Sequence, residues 1–242
     1  MTAPAYNTGA AANAGTASNS NASLTLPAGI NNDDVGILIL STNSAGVLTP
    51  PAGWSQIATD SQSSNTFITA WKKKLTTADR GVVVGGTGSL TVAGRWNLLF
   101  ACWPGGGVDV VSTVTKQSTS LATTPVAAVT PGVNDCTEVA LLAARCNTSG
   151  STPTYSAASG WTARQTSGTT NVSNNNSGAS ICDKGLTGQA GTPQSATTAA
   201  CSPNTLQAVE FSITISPRLT YTPTAADTLS LSDTATRAST FA

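Results

Sequence analysis

From residue 207 to 216 the chain alternates without a break. Val209, Phe211, Ile213 and Ile215 take every second place, and Glu210, Ser212, Thr214 and Ser216 the places between. Successive side chains of a strand point to opposite faces, so the pattern specifies a half-buried antiparallel strand with Glu210 facing outward. Helical periodicity is absent elsewhere too, and short strand-like runs recur between clusters of Gly, Pro, Asn and Ser. Residues 35–40 and 139–144 are continuous apolar runs, expected of central strands covered on both faces. Longer strands are expected over 66–73 and 90–103, which carry Phe67, Trp71, Trp96, Leu98 and Phe100, and weaker ones near 55–58, 81–84 and 108–115. The fold class that follows is all-β.

A weak internal repeat organises these strands. Gly29 pairs with Gly132, Trp54 with Trp161, Trp71 with Ile181 and Phe100 with Phe211, at offsets of 103, 107, 110 and 111. A slow upward drift is what small loop insertions between duplicated strands produce. The half-repeats run over 24–107 and 108–217. Either half supplies only four or five strands, so closure around one core is favoured over two independent domains. That makes 1–217 a jelly-roll-like antiparallel β-sandwich formed from two weakly similar halves. Residues 218–242 form an extended C-terminal tail, rich in Thr, Ser and Asp, that cannot bury a core of its own. Within it Asp227-Thr228-Leu229-Ser230-Leu231-Ser232-Asp233 alternates like an edge strand and can add to a neighbouring sheet, which makes Leu229, Leu231 and Phe241 candidate inter-subunit contacts. The alternative is a passive terminus.

Charged residues make up only 9% of the chain, and 11 basic side chains balance 11 acidic ones. No long-range field gathers phosphate backbones or anionic lipid, so nucleic acid is not an expected partner. A near-neutral surface instead favours association, including with copies of the same chain. No run of apolar residues is long enough to span a bilayer, and the N-terminus has neither the basic head nor the apolar core of a signal peptide.

Chemistry is equally constrained. Histidine, the commonest general base and metal ligand, is absent. Only two glutamates are present, Glu138 and Glu210, so a catalytic carboxylate pair is disfavoured and the expectation is a non-enzymatic protein without a cofactor. Asn31-Asn32-Asp33-Asp34 groups oxygen ligands that would suit calcium, but Asn and Asp before a strand are also ordinary turn residues, and that reading is preferred. Cys102, Cys136, Cys146, Cys182 and Cys201 show no metal-ligand spacing. Buried free thiols are expected, with a Cys182–Cys201 pair as the alternative.

Lys72, Lys73 and Lys74 read as guards of a sheet edge rather than as an anion site. Trp54 and Trp161, each behind a glycine, read as core plugs repeated in both halves. Trp103, before Pro104-Gly105-Gly106-Gly107, is the tryptophan expected to be exposed. With the amide-rich loop containing Asn174 and Asn175 it is the candidate contact for a cell-surface glycan.

Leu26-Pro27-Ala28-Gly29, Asp34-Val35-Gly36-Ile37-Leu38 and Thr49-Pro50-Pro51-Ala52-Gly53-Trp54, followed by Trp71-Lys72 and Ala78-Asp79, resemble a pattern common in virion proteins of tailed bacteriophages. Gly160-Trp161-Thr162 is similar to a degraded second copy. The resemblance spans about residues 24–217. It departs at Cys102-Trp103-Pro104-Gly105, where the family commonly closes on a Tyr-Arg-Gly-like step, and residues 227–233 are similar to C-terminal ends of phage minor tail proteins. What the resemblance implies is a lectin-like jelly roll. The function implied is that of a structural component of the virion, assembled in the host cytoplasm among other virion proteins, as a minor tail protein. A capsid decoration protein and a host-glycan-binding adhesion module are the alternatives.

Overall fold

The computed structural model describes residues 2–14, 19–50, 52–118, 121–146, 152–169, 176–194 and 197–218. Its strands, in chain order, are β1 Thr8–Asn13, β2 Ser23–Thr25, β3 Asp34–Thr42, β4 Ser55–Ser61, β5 Phe67–Lys74, β6 Val83–Gly85, β7 Trp96–Pro104, β8 Gly107–Val111, β9 Thr115–Gln117, β10 Leu121–Val126, β11 Thr137–Cys146, β12 Thr154–Ser156, β13 Thr162–Gly168, β14 Asn176–Gly185 and β15 Thr197–Ser216. The two apolar runs become β3 and β11. Each is the central strand of its sheet.

Residues 8–104 build a five-stranded antiparallel sheet in the order β1-β7-β3-β5-β4. Residues 107–216 build the other, with β15, β11, β14 and β13 side by side. On the far side of β15 from β11, β8 and β9 pair with its C-terminal half and β10 with its N-terminal half, while β12 pairs with the N-terminal half on the β11 side. Thus each sheet is filled by one contiguous half of the chain. The two sheets stack face to face: Val35, Ile37, Ile39 and Leu99 from the first meet Val139, Leu141, Phe211 and Ile213 from the second in one apolar core. The first sheet's other face, with Leu38, Leu40 and Phe100, is covered by the β2–β6 ribbon through Leu24 and Val84. Over the outer face of the second sheet lie Val126 and Trp161.

The hydrogen-bond registers of one sheet recur in the other. Val35 faces Lys74 as Thr137 faces Gly185, and Leu38 faces Phe100 as Ala140 faces Ser212. Even the irregularity recurs: the β4–β5 ladder slips between Gln56 and Ala58, the β13–β14 ladder between Ala163 and Gln165. Equivalent residues therefore lie 102 positions apart in β3 and β11, 107 in β4 and β13, 111 in β5 and β14, and 112 in β7 and β15.

Three of the offsets read from sequence differ from these by one residue. On a strand, a slip of one exchanges the two faces. Phe100 and Phe211 look alike, yet Phe100 points to the outer cover and Phe211 into the inter-sheet core. Ser212 is the residue that occupies the place of Phe100.

Three further expectations are corrected. The lysine run does not guard an edge, because β5 lies between β3 and β4; β4 is the edge strand. Lys73 instead pairs with Asp79 at 2.7 Å and Lys74 with Asp33 at 2.9 Å. Trp54 and Trp161 are half-buried rather than core plugs: Trp54 stands edge-on to Phe100, and Trp161 lies under the Lys184 ammonium, 4.8 Å from the ring centre. Glu210 points away from the inter-sheet core as its alternation requires, yet is only 1% exposed because Val126 and Ala127 roof it over.

Candidate functional site

Trp103 is fully buried, so it cannot offer a ring to a sugar. The strand runs through Trp103 to Pro104 and ends where the glycines begin, carrying the indole into the space between the sheets. There its N–H donates to Asp183 Oδ2 at 2.7 Å, and Arg164 Nε donates to Asp183 Oδ1 at the same distance. Tyr6 meets Trp103 edge-on at 6.0 Å, lies under the Arg164 guanidinium at 4.9 Å and accepts a hydrogen bond from Gln165. This network ties the N-terminal segment to both sheets. Of the other candidate contacts, Asn174, Asn175, Leu229, Leu231 and Phe241 lie outside the described residues.

The two glutamates occupy the outer face of the second sheet. Glu138 stands across the ladder from Lys184 and pairs with it at 3.0 Å; burial pushes its carboxyl up while Lys184 opposes the shift. Both oxygens of Glu210 accept the Ala127 N–H, at 2.8 and 3.0 Å. Burial nonetheless pushes the Glu210 carboxyl up to about 8, so that it is mostly protonated at neutral pH. Its position under the chain at Ala127 makes it a roof support.

The Asn31–Asp34 oxygens serve the turn, as expected. Asp34 accepts from the Asn31 N–H and from Asn7, and Asn32 accepts from the Thr77 N–H. Asp33 is shared by Lys74 and Arg218, whose positive charges hold its carboxyl below the usual range. Among the described residues no group of three or more His, Cys, Asp or Glu is placed to hold a metal. Cys102, Cys136 and Cys182 are buried free thiols, so Cys182 is not joined to Cys201. Burial pushes Cys102 up to about 12 and Cys136 to about 11.

The open ground lies at one end of the sandwich, where β15 ends. A cleft of about 730 Å³ is bounded by Lys74, Gly106, Asp109, Val133 and Arg218. An adjoining hollow of about 240 Å³, bounded by Val35, Gly53, Lys72, Lys74, Gly106 and Val108, shares Lys74 and Gly106 with it. Lys74 and Arg218 divide one carboxylate between them, and Lys72 makes no ion pair among the described residues. Asp109 offsets the second of these cations, so the one unbalanced charge of the groove is Lys72, which stands beside apolar walls and suits an extended peptide bearing both apolar and acidic side chains. Lys72 and Lys74 belong to the run that sequence reasoning assigned to edge protection. The signal it lacked was the depression beside them, which depends on Gly105-Gly106-Gly107 being folded against β15.

No family model matches the chain, no curated protein matches it, and no solved structure matches it.

Proposed function

We propose that the chain is a structural component of a tailed-bacteriophage virion, a minor tail protein held in place by shape and by contacts with other virion proteins and with copies of itself. The observation that carries the reading is the disposition of charge. Every acidic side chain among the described residues is engaged: Asp60, Asp79, Asp183 and Glu138 in ion pairs, Asp33 by two cations, and Asp34, Asp109, Asp135 and Glu210 by N–H groups. A surface with so few free charges repels neighbours little and packs among them readily. The motif running from Leu26 to Trp54 supports the same reading.

The jelly-roll-like character belongs to this proposal in a limited sense. In the first sheet β4 and β5 form a central hairpin in sequence, and β3, β7 and β1 are laid on successively outward, a nested winding that the second sheet repeats. The protein's role is accordingly non-catalytic and needs no cofactor. Immunogold electron microscopy of purified particles tests the placement: label on the tail is expected, label on the head would make it a decoration protein, and unlabelled particles would overturn the proposal.

A further inference from the structure

We infer that the groove at the end of the sandwich is a receptor for residues 227–233 of a second copy of this chain. The inference begins with a missing volume. Gly9 pairs with Ala101 as Val111 pairs with Ile213, so residues of the N-terminal segment have counterparts 102 positions on. Pro4, Ala5 and Tyr6 thus correspond to Gly106, Gly107 and Val108. On one side of the molecule Tyr6 fills the space against Trp103 and Gln165. At the matching place on the other side a valine and two glycines stand, and the hollow bounded by Val35, Lys72 and Val108 is what they leave open.

Charge identifies the occupant. The hollow's Lys72 makes no ion pair among the described residues and is the unbalanced charge of the groove; in the adjoining cleft Lys74 and Arg218 share Asp33, and the Asp109 carboxylate also lines the wall. Of the chain's 11 acidic residues, nine are the engaged ones named above; the other two are Asp227 and Asp233, which bracket Leu229 and Leu231. An extended Asp-Thr-Leu-Ser-Leu-Ser-Asp segment turns both leucines to one side, toward Val108 and Val133, and offers an aspartate to Lys72. Its reach extends to a neighbour. Eight residues separate Arg218, the last described residue and one on the rim of the groove, from Asp227, and a linker of that length spans at most about 30 Å.

This device goes beyond the virion reading and stands or falls without it. Sedimentation velocity of the full chain tests it with two variants, Lys72→Glu/Lys74→Glu in the groove and Asp227→Lys/Asp233→Lys in the segment. The second variant alters no residue of the sandwich. The full chain is expected to self-associate with rising concentration, and each variant alone to lose about tenfold or more in association constant. An equimolar mixture regains association, because the groove variant retains its segment and the segment variant retains its groove. A full chain that stays monomeric, association indifferent to the segment variant, or a mixture that fails to recover would each overturn the inference. So would a monomer in which the groove variant alone exposes 227–233 to proteolysis, since that places the segment in its own groove.

Discussion

The indole of Trp103 and the carboxylate of Asp183 meet across the two sheets, from strands that share no ladder, with the Arg164 guanidinium closing the other carboxylate oxygen. Both residues are almost wholly buried. Removing the acid leaves the buried indole N–H and the partly exposed Arg164 guanidinium without their acceptor, whereas removing only the indole N–H leaves one carboxylate oxygen short.

Asp183→Ala is therefore expected to destabilise the fold by about 3 kcal/mol or more, and Trp103→Phe by about 1–3 kcal/mol. Urea unfolding followed by tryptophan fluorescence or circular dichroism measures both. Equal, negligible costs would show that the network is not holding the sheets together. A loss of glycan binding in Trp103→Ala would have to be checked against folding, since the ring has no exposed face.

Glu210 makes stability depend on pH in a defined direction. Its carboxyl is raised in the folded chain from 4.5 to about 8. Below about pH 4.5 it is protonated folded or unfolded, so its contribution is intact; as the pH climbs from there through about 8 the unfolded state increasingly prefers to release the proton, and stability falls. Chemical denaturation at a series of pH values is expected to show this alkaline loss, on the order of a few kcal/mol at most. Glu210→Gln, which is always neutral, removes the share of it that Glu210 contributes and leaves the share from Glu138. A wild-type curve that rises with pH over that window would contradict the account.

The turn after β6 is closed by a glycine that has no substitute. Gly85 has φ of +81°, and a Cβ there would come within 2.0 Å of the Ala22 carbonyl oxygen. Gly85→Ala must displace the β2–β6 ribbon that covers the first sheet, at about 2–4 kcal/mol. Thermal melting of this variant beside Gly88→Ala, which has positive φ but open space, separates the clash from the backbone strain.

Cys102, Cys136 and Cys182 are buried and their thiols are raised, so little thiolate is available to attack. Mass mapping after iodoacetamide at mildly alkaline pH is expected to find these three unmodified in the folded chain and modified after denaturation. Rapid labelling in the native state would mean that the sheets open locally.

How far the sequence carried depended on whether a residue's partner was near it along the chain. The central strands β3 and β11 were legible because every residue in their apolar runs is buried. β1 was not: Thr-Gly-Ala-Ala-Ala-Asn has no branched or aromatic alternation, and its strand conformation comes from pairing with β7 some 90 residues on. The alternation around Glu210 gave the correct face, but the roof comes from Ala127, 83 residues away. Trp103 was misread because the glycines after it suggest a loop, while its acceptor lies 80 residues further along. The repeat was visible through Gly53-Trp54 and Gly160-Trp161, whose spacing the ladders reproduce. Elsewhere it was blurred by one residue, because the first sheet's outer face is apolar where the second carries Ala140, Cys182 and Ser212.

The claim that this chain is a part of a phage particle is tested most directly by quantitative mass spectrometry of purified virions. The account predicts peptides covering the sandwich at several copies per particle, retained after the particles are washed at high salt, because shape and burial hold the chain more than surface charge does. Infectious particles that lack those peptides would contradict it.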